Sequence, residues 1–129
     1  MRNSFRFLSC LLLFSALAAG CVSAPKDHYY WGNYEALILA MYAEPGSADP
    51  VMQIEKLTAD LQQAESIGKP APPGLYAHLG FMYAMNGDVS QAEVAFNEER
   101  ELFPESAVFI DGMMERALQN QGVSIAPVE

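Results

Sequence analysis

Apolar residues recur every three or four positions from Tyr29 onward, the spacing that places side chains on one face of a helix. Helices are predicted at 33–43, 50–67, 75–86, 89–103 and 107–119, with glycine and proline residues at the breaks between them. No segment alternates apolar and polar residues with comparable strength, so no strand is predicted. The pattern therefore favours an all-α domain of five helices.

The ends of these helices carry capping signals. Asp49 followed by Pro50 predicts an N-cap for the second helix, because proline is well tolerated at the first helical position. Asp88 with Gln91 three residues later has capping-box spacing for the fourth helix, and Ser106 is expected to cap the fifth. The predicted stop signals are Gly68, Asn86 with Gly87, and Pro104.

The faces of the helices indicate which of them are most buried. The second helix has one apolar stripe, and Asp60 belongs to the polar residues expected mostly off it. The third helix is apolar nearly all round, which predicts a central element packed on several sides. The apolar positions of the fifth helix are Val108, Phe109, Met113, Met114, Ala117 and Leu118.

One stretch of the chain fits a known helical repeat. A 34-residue unit starting at Pro73 has large and small residues in the register of the tetratricopeptide motif, namely Tyr76, Leu79, Gly80, Tyr83, Ala92, Phe96 and Pro104. Glu99 stands where that motif has a small residue. The preceding hairpin resembles the same unit less closely, with about seven extra residues between its helices. This resemblance implies tetratricopeptide-like hairpins in a right-handed α-α stack, with the fifth helix as an unpaired cap.

The first twenty residues have the layout of a secretory signal. Arg2 and Arg6 precede an apolar run at 7–19, which is shorter than the roughly 20 residues a membrane-spanning helix needs. Leu17 to Cys21 then resembles the lipobox of bacterial lipoproteins, with Ala18 where leucine is most common. The resemblance implies cleavage before Cys21, lipid on its sulfur, and, because Val22 follows rather than Asp, an outer-membrane location facing the periplasm.

The predicted organisation is a signal peptide at 1–20, a lipidated tether at 21–29, a helical domain at 30–119 and a loose tail at 120–129. The alternative for Cys21 is an ordinary thiol after an ordinary signal peptide. Since Cys10 lies in the removed segment, Cys21 would then be a lone thiol in an oxidising compartment, so lipidation is the favoured interpretation.

The charge of the chain excludes some partners. The net charge is −9, and removal of Arg2 and Arg6 with the signal would leave five basic residues against sixteen acidic ones, a net charge of −11. Such a chain repels nucleic acid and anionic lipid headgroups. The acidic residues are interpreted as a solvated surface, with an acidic docking face as the alternative.

The sequence offers little catalytic chemistry. His28 and His78 are the only histidines and have no neighbour at metal-ligand spacing, so no metal, no cofactor and no catalytic residue are predicted. His78 is interpreted as a hydrogen-bonded interior or groove residue. Glu98 and Glu101 are interpreted as part of a solvated helix face. The chain is therefore predicted not to be an enzyme.

The concave side of such a stack is the expected binding surface for a protein partner. From the repeat register, this protein-binding groove is predicted to contain Ala77, Phe81, Ala84 and Met85 of the third helix, with Asp111 and Glu115 of the fifth helix at the rim. The alternative is that Phe81 and Met85 pack under the fifth helix. No set of basic residues that would clamp a peptide carboxyl terminus is present, which disfavours that mode.

The run 30–109 is further similar to an uncharacterised family of small proteobacterial lipoproteins with a tetratricopeptide-like domain. The residues that carry this similarity are Tyr30, Trp31, Gly32 and Tyr34, the string 72–80, and Phe103 to Ser106 with Phe109. The similarity implies a scaffold or interaction module in an envelope assembly, with partners such as a curli-secretion-channel-like lipoprotein. A regulator of a periplasmic cell-wall enzyme is the alternative function.

Overall fold

The computed structural model describes residues 27–44, 46 and 49–120, with the side chain of Asn120 left out. The predicted signal peptide, Cys21, most of the tether and the tail beyond residue 120 lie outside the described residues. Within the described part the fold is all-helical, as predicted. It contains five α-helices, which are α1 Tyr34–Ala43, α2 Pro50–Ser66, α3 Leu75–Met85, α4 Val89–Leu102 and α5 Ala107–Asn120.

Two of the three predicted N-caps are present in the structure. Asp49 accepts hydrogen bonds from the backbone N–H groups of Val51 and Met52 at the start of α2, and Asp88 accepts one from Gln91 at the start of α4. Ser106 does not act as the predicted cap of α5. A short 3₁₀ turn, Pro104–Ser106, precedes that helix, and the Ser106 hydroxyl donates to the Phe103 carbonyl at 2.7 Å.

The core confirms that α3 is the central helix, because α3 has six buried residues, against four each in α2 and α4 and one in α1, and it contributes to both clusters of buried side chains. The first cluster joins α1, α2, α3 and α4 through Leu37, Leu57, Leu75, Leu79, Met82 and Ala95. The second joins α3, α4 and α5 through Ala77, Ala92, Phe96 and Ile110. Ile110 is completely buried and was missing from the predicted apolar positions of α5, whereas Val108 is 87% exposed.

Gly80 of α3 allows the close approach of α3 to α4. A Cβ atom at this position would lie 2.6 Å from two ring carbons of Phe96 and 3.1 Å from the Ala92 carbonyl oxygen. The ring of Phe96 is itself buried, so it has little room to move away. This contact is the physical reason for a small residue at the position that the repeat motif assigns to Gly80.

Glu99 is buried and caps the amino end of α3. The N-cap residue Gly74 has no side chain to offer, and the Glu99 carboxylate instead accepts from the N–H groups of Gly74 at 2.7 Å and Ala77 at 3.2 Å. Burial raises the pKa of Glu99, and the backbone hydrogen bonds oppose that rise by stabilising the charged form. The larger residue in place of the motif's small one therefore supplies a cap from the neighbouring helix.

Asp60 has the same role at α1, which corrects its expected placement off the apolar stripe. Its carboxylate is 3% exposed and accepts hydrogen bonds from Asn33, from the backbone N–H at 2.6 Å and from the side-chain amide at 2.9 Å. A buried carboxylate is tolerated here because both of its oxygens accept a hydrogen bond.

Candidate protein-binding groove

A groove of about 530 Å³ lies between the first helices of the two hairpins and α5. Helices α1, α3 and α5 form its walls, and Phe96 of α4 contributes to its base. The lining residues are Tyr34, Ile38, Met41, Tyr42, Gly74, Ala77, His78, Phe81, Ala84, Met85, Phe96, Phe109, Met113, Arg116 and Ala117.

Large apolar side chains of this groove are exposed to solvent. Tyr42 is 81% exposed, Phe109 60%, Met85 56% and Phe81 37%, and all four belong to the same cavity. Scattered apolar residues are normal on a protein surface, but a contiguous group around one concavity marks an interaction site.

The lining is rich in residue types that are enriched at protein interfaces. Nine of the fifteen lining residues are aromatic residues, methionines or arginine, the types enriched where proteins bind one another. The three methionines, Met41, Met85 and Met113, offer unbranched side chains that adjust to different partner surfaces.

The structure brings together four of the six residues predicted for the groove. Ala77, Phe81, Ala84 and Met85 all line it. Phe81 and Met85 are not enclosed under α5, since both remain accessible and neither belongs to a buried cluster.

Asp111 and Glu115, which were predicted at the rim, are not among the residues that line the groove. A helix turns by about 100° per residue, so these two residues lie on the opposite side of α5 from Phe109 and Met113. Asp111 instead pairs with Arg100 of α4 at 2.6 Å, and Glu115 accepts a hydrogen bond from Gln119 at 3.0 Å.

Sequence reasoning missed the contributions of α1 and α5 to the lining. The missed residues of α5 are Phe109, Met113, Arg116 and Ala117, which follow one another at intervals of four, three and one. That helical spacing is itself the signal that could have identified this face. The exposed apolar surface of α1, a helix with Leu37 as its buried residue, could not be distinguished from core in the sequence.

His78 lies at the base of the groove and is 7% exposed. Its Nε2 atom is 2.7 Å from Oε1 of Gln53, which confirms the predicted hydrogen-bonded interior histidine. Burial lowers the pKa of His78 to about 4, so the ring is neutral near pH 7 and its Nε2–H donates to Gln53. The Gln53 Nε2 atom is buried and has no hydrogen-bond partner in the part of the chain that the structure describes.

Tyr34 forms the wall beside His78, with its ring centroid 6.1 Å from the imidazole. Burial and the nearby charge of Glu99 raise the pKa of the Tyr34 phenol, so it remains protonated. These polar groups give the base of the groove hydrogen-bonding capacity without adding charge.

Residues 27–44, 46 and 49–120 contain neither a metal-binding cluster nor a membrane-spanning helix. No group of three or more His, Cys, Asp or Glu residues there is arranged to hold a metal ion. No helix among those same residues is both long enough and apolar enough to cross a membrane. Glu98 and Glu101 are exposed on α4, in agreement with a solvated face.

A second cavity, of about 680 Å³, lies against α2 and the end of α4. Tyr29 packs edge-to-face on Phe103 there, with a centroid distance of 6.4 Å, and the backbone N–H of Tyr30 donates to the Pro70 carbonyl at 3.0 Å. The segment before α1 is therefore fastened across the connector between α2 and α3.

Comparison with known proteins gives one match. A family model described as "Domain of unknown function (DUF4810)" matches residues 28–113, which include all of α1 to α4 and the first half of α5. Searches of curated proteins and of solved structures give no match. The matched range contains thirteen of the fifteen groove residues, all except Arg116 and Ala117.

Proposed function

The chain belongs to the DUF4810 family, which is defined by a domain of unknown function, and from its groove we propose that it is a protein-interaction module. The observation that carries the proposal is the exposure of Tyr42, Phe81, Met85 and Phe109 around one concavity. Leaving these side chains in water is unfavourable, and a partner that covered them would gain about 25 cal/mol for each Å² of apolar surface removed from water.

The arrangement of the helices supports a tetratricopeptide-like stack. Each of the first two hairpins has a first helix, α1 or α3, that lines the groove, and a second helix that packs behind it. α5 occupies the place of a third first helix. In a helical-repeat stack the first helices form the concave surface that binds extended segments or partner helices.

The cellular setting of this module is part of the proposal. We propose that the chain is a lipoprotein anchored through Cys21 in the outer membrane, with the helical domain in the periplasm and a scaffolding role in an envelope assembly. The signal-like first twenty residues and the lipobox-like junction support this setting. Another envelope lipoprotein, such as a curli-secretion-channel-like protein, is then the proposed kind of partner.

Site-specific photocrosslinking in living cells tests whether the groove binds protein. A photoreactive phenylalanine analogue at Phe109 should crosslink to a defined protein band, because this side chain lines the groove. The matched control is Val108, the adjacent residue, which is 87% exposed and does not line the groove. Equal crosslinking from positions 108 and 109 would contradict the proposal. So would the absence of crosslinks when the analogue replaces each of the groove residues Tyr42, Met85 and Phe109 in turn.

A further inference from the structure

Among the described residues that line the groove, Arg116 is the one with a charged side chain. All other lining residues are apolar or neutral, including His78, whose lowered pKa keeps it uncharged near pH 7. The whole chain has seven basic and sixteen acidic residues, so a charged residue taken at random would more often be acidic. A cation at this place in the groove is therefore not explained by composition.

The guanidinium of Arg116 is oriented by a hydrogen bond, and no described residue neutralises its charge. Its Nε–H donates to the Gly112 carbonyl one turn earlier at 2.8 Å, which leaves the two terminal nitrogens available. No carboxylate of the described residues forms an ion pair with Arg116. Arg100, by contrast, is bound to Asp111 at 2.6 Å.

An arginine held in this way is suited to bind a carboxylate. Its planar fork donates two parallel hydrogen bonds to the two oxygens, which gives stronger and more directional binding than a neutral pair. The apolar residues beside it strengthen this interaction once a partner has displaced water from the groove. Asp111 and Glu115 face the other side of α5 and do not compete for the same nitrogens.

We infer that the groove takes an apolar peptide segment of a partner protein that carries an aspartate or glutamate, whose side-chain carboxylate binds Arg116. The inference rests on the proposed function of the groove as a protein-binding site. A side chain is favoured over a chain terminus because apolar lining residues lie on both sides of Arg116 along α5, Met113 before it and Ala117 after it. A segment that covers both must continue past the carboxylate.

The lining favours a peptide over the acyl chain of a lipid. The groove is open and mixes hydroxyl and imidazole groups with its aromatic rings, which suits peptide side chains and backbone. The net charge of −9 does not prevent binding of an acidic segment, because charges farther away than about 8 Å are largely screened at physiological salt.

Selection from a random dodecapeptide library, displayed with the carboxyl end fused to the carrier, tests the inference. The protein as isolated from cells should select peptides that combine apolar residues with one Asp or Glu. The Arg116→Glu variant should select Lys or Arg in place of the acid. Lys56→Gln is the matched control, since it removes an exposed cation of α2 that does not line the groove and should leave the selection unchanged.

Affinity measurements on the best selected peptide then isolate the contact with Arg116. Replacing its Asp or Glu by the corresponding amide should weaken binding to the natural protein about tenfold, since hydrogen bonds to charged groups contribute more than neutral ones. The same change should alter binding to Arg116→Gln less than about twofold. Peptides with a free and with an amidated carboxyl end should bind equally.

The outcomes separate this inference from the function on which it rests. The role of Arg116 is overturned if the selected peptides are apolar and lack an acidic residue, or if they bind only through a free carboxyl end. In both cases the groove would remain a protein-binding site. Ala84→Arg places a large side chain in the groove and serves as a blocked variant, provided that its helix content is unchanged. If the natural protein selects no more peptides than this variant, the proposed function itself fails. Acid-dependent selection that is lost in Arg116→Gln supports both.

Discussion

Replacing Gly80 and Gly112 separately by alanine tests the close packing that fixes α3 against α4. Both glycines lie inside helices, where alanine is favoured over glycine by about 1 kcal/mol, so this contribution is nearly the same for the two variants. Their surroundings differ. A Cβ at Gly112 would have Arg116 Nη2 at 3.5 Å as its nearest contact, whereas a Cβ at Gly80 would lie 2.6 Å from the Phe96 ring.

The expected magnitudes follow from this difference in space. Gly112→Ala should raise the free energy of unfolding by up to about 1 kcal/mol, because nothing there has to move. Overpacking of a tight core costs about 1–3 kcal/mol, and the upper part of that range applies at Gly80 because the Phe96 ring is only 1% exposed. After the helix gain is deducted, Gly80→Ala should lower the free energy of unfolding by about 1–2 kcal/mol.

Urea titration followed by circular dichroism measures both variants against the natural protein. The difference between the two alanine variants should be about 2–3 kcal/mol, with unchanged slopes of free energy against urea concentration. If both variants are stabilised to within about 0.5 kcal/mol of each other, α3 and α4 are not as close at Gly80 as the structure indicates, and the explanation for this glycine is wrong.

Three further changes test the buried ionisable groups and the anchor. Glu99→Gln removes the charge that burial disfavours. Because the pKa of Glu99 is raised in the folded state, the natural protein should lose stability relative to this variant as the pH rises from 4.5 through that pKa. Parallel plots of stability against pH for the two proteins, measured by urea titration, would contradict this. The pH dependence due to His78 has the opposite sign, because the folded state keeps this ring neutral down to pH about 4. The free energy of unfolding of the natural protein should fall by up to about 1.4 kcal/mol per pH unit as the pH drops from 6.5 to 4. A His78→Leu variant with the same slope would refute the assignment. Cys21→Ser should abolish labelling by a fatty-acid probe and release the protein from the membrane fraction, and a variant that keeps both is not anchored through this cysteine.

The sequence predicts the helices better than it predicts the groove. Helix bounds depend on local signals, such as the carboxylates of Asp49 and Asp88 beside free N–H groups, and these lie within one residue of their predicted places. Which side of α5 lines the groove depends on how that helix packs on α4, and there the completely buried Ile110 sets the rotation. The repeat register does not show that Ile110 is buried, so it could not show that Asp111 and Glu115 are absent from the lining.

The buried acids could not be predicted from composition either. A carboxylate on a helix is normally solvated, and nothing near Asp60 or Glu99 in the sequence shows that its partner is a backbone N–H more than twenty residues earlier. The informative signal is a glycine just before each capped helix. A Cβ at Gly32 would overlap the Asp60 carboxylate, and Gly74 is the residue whose N–H donates to Glu99.

The same capping arrangement in both hairpins bears on how the groove keeps its shape. In each hairpin the second helix places a buried carboxylate at the amino end of the first, Asp60 at α1 and Glu99 at α3, and these hydrogen bonds position the two walls. The third wall, α5, is held by Ile110 and by the Arg100–Asp111 pair, whose side chains are 39% and 62% exposed. An exposed ion pair contributes only about 0–1 kcal/mol, so the packing of Ile110 in the buried cluster with Ala77, Ala92 and Phe96 is the main contact that holds the wall carrying Arg116. Under the proposed function, the apolar side chains and Arg116 would therefore be presented by walls that buried packing and hydrogen bonds already hold in place, which lowers the entropic cost of binding a partner.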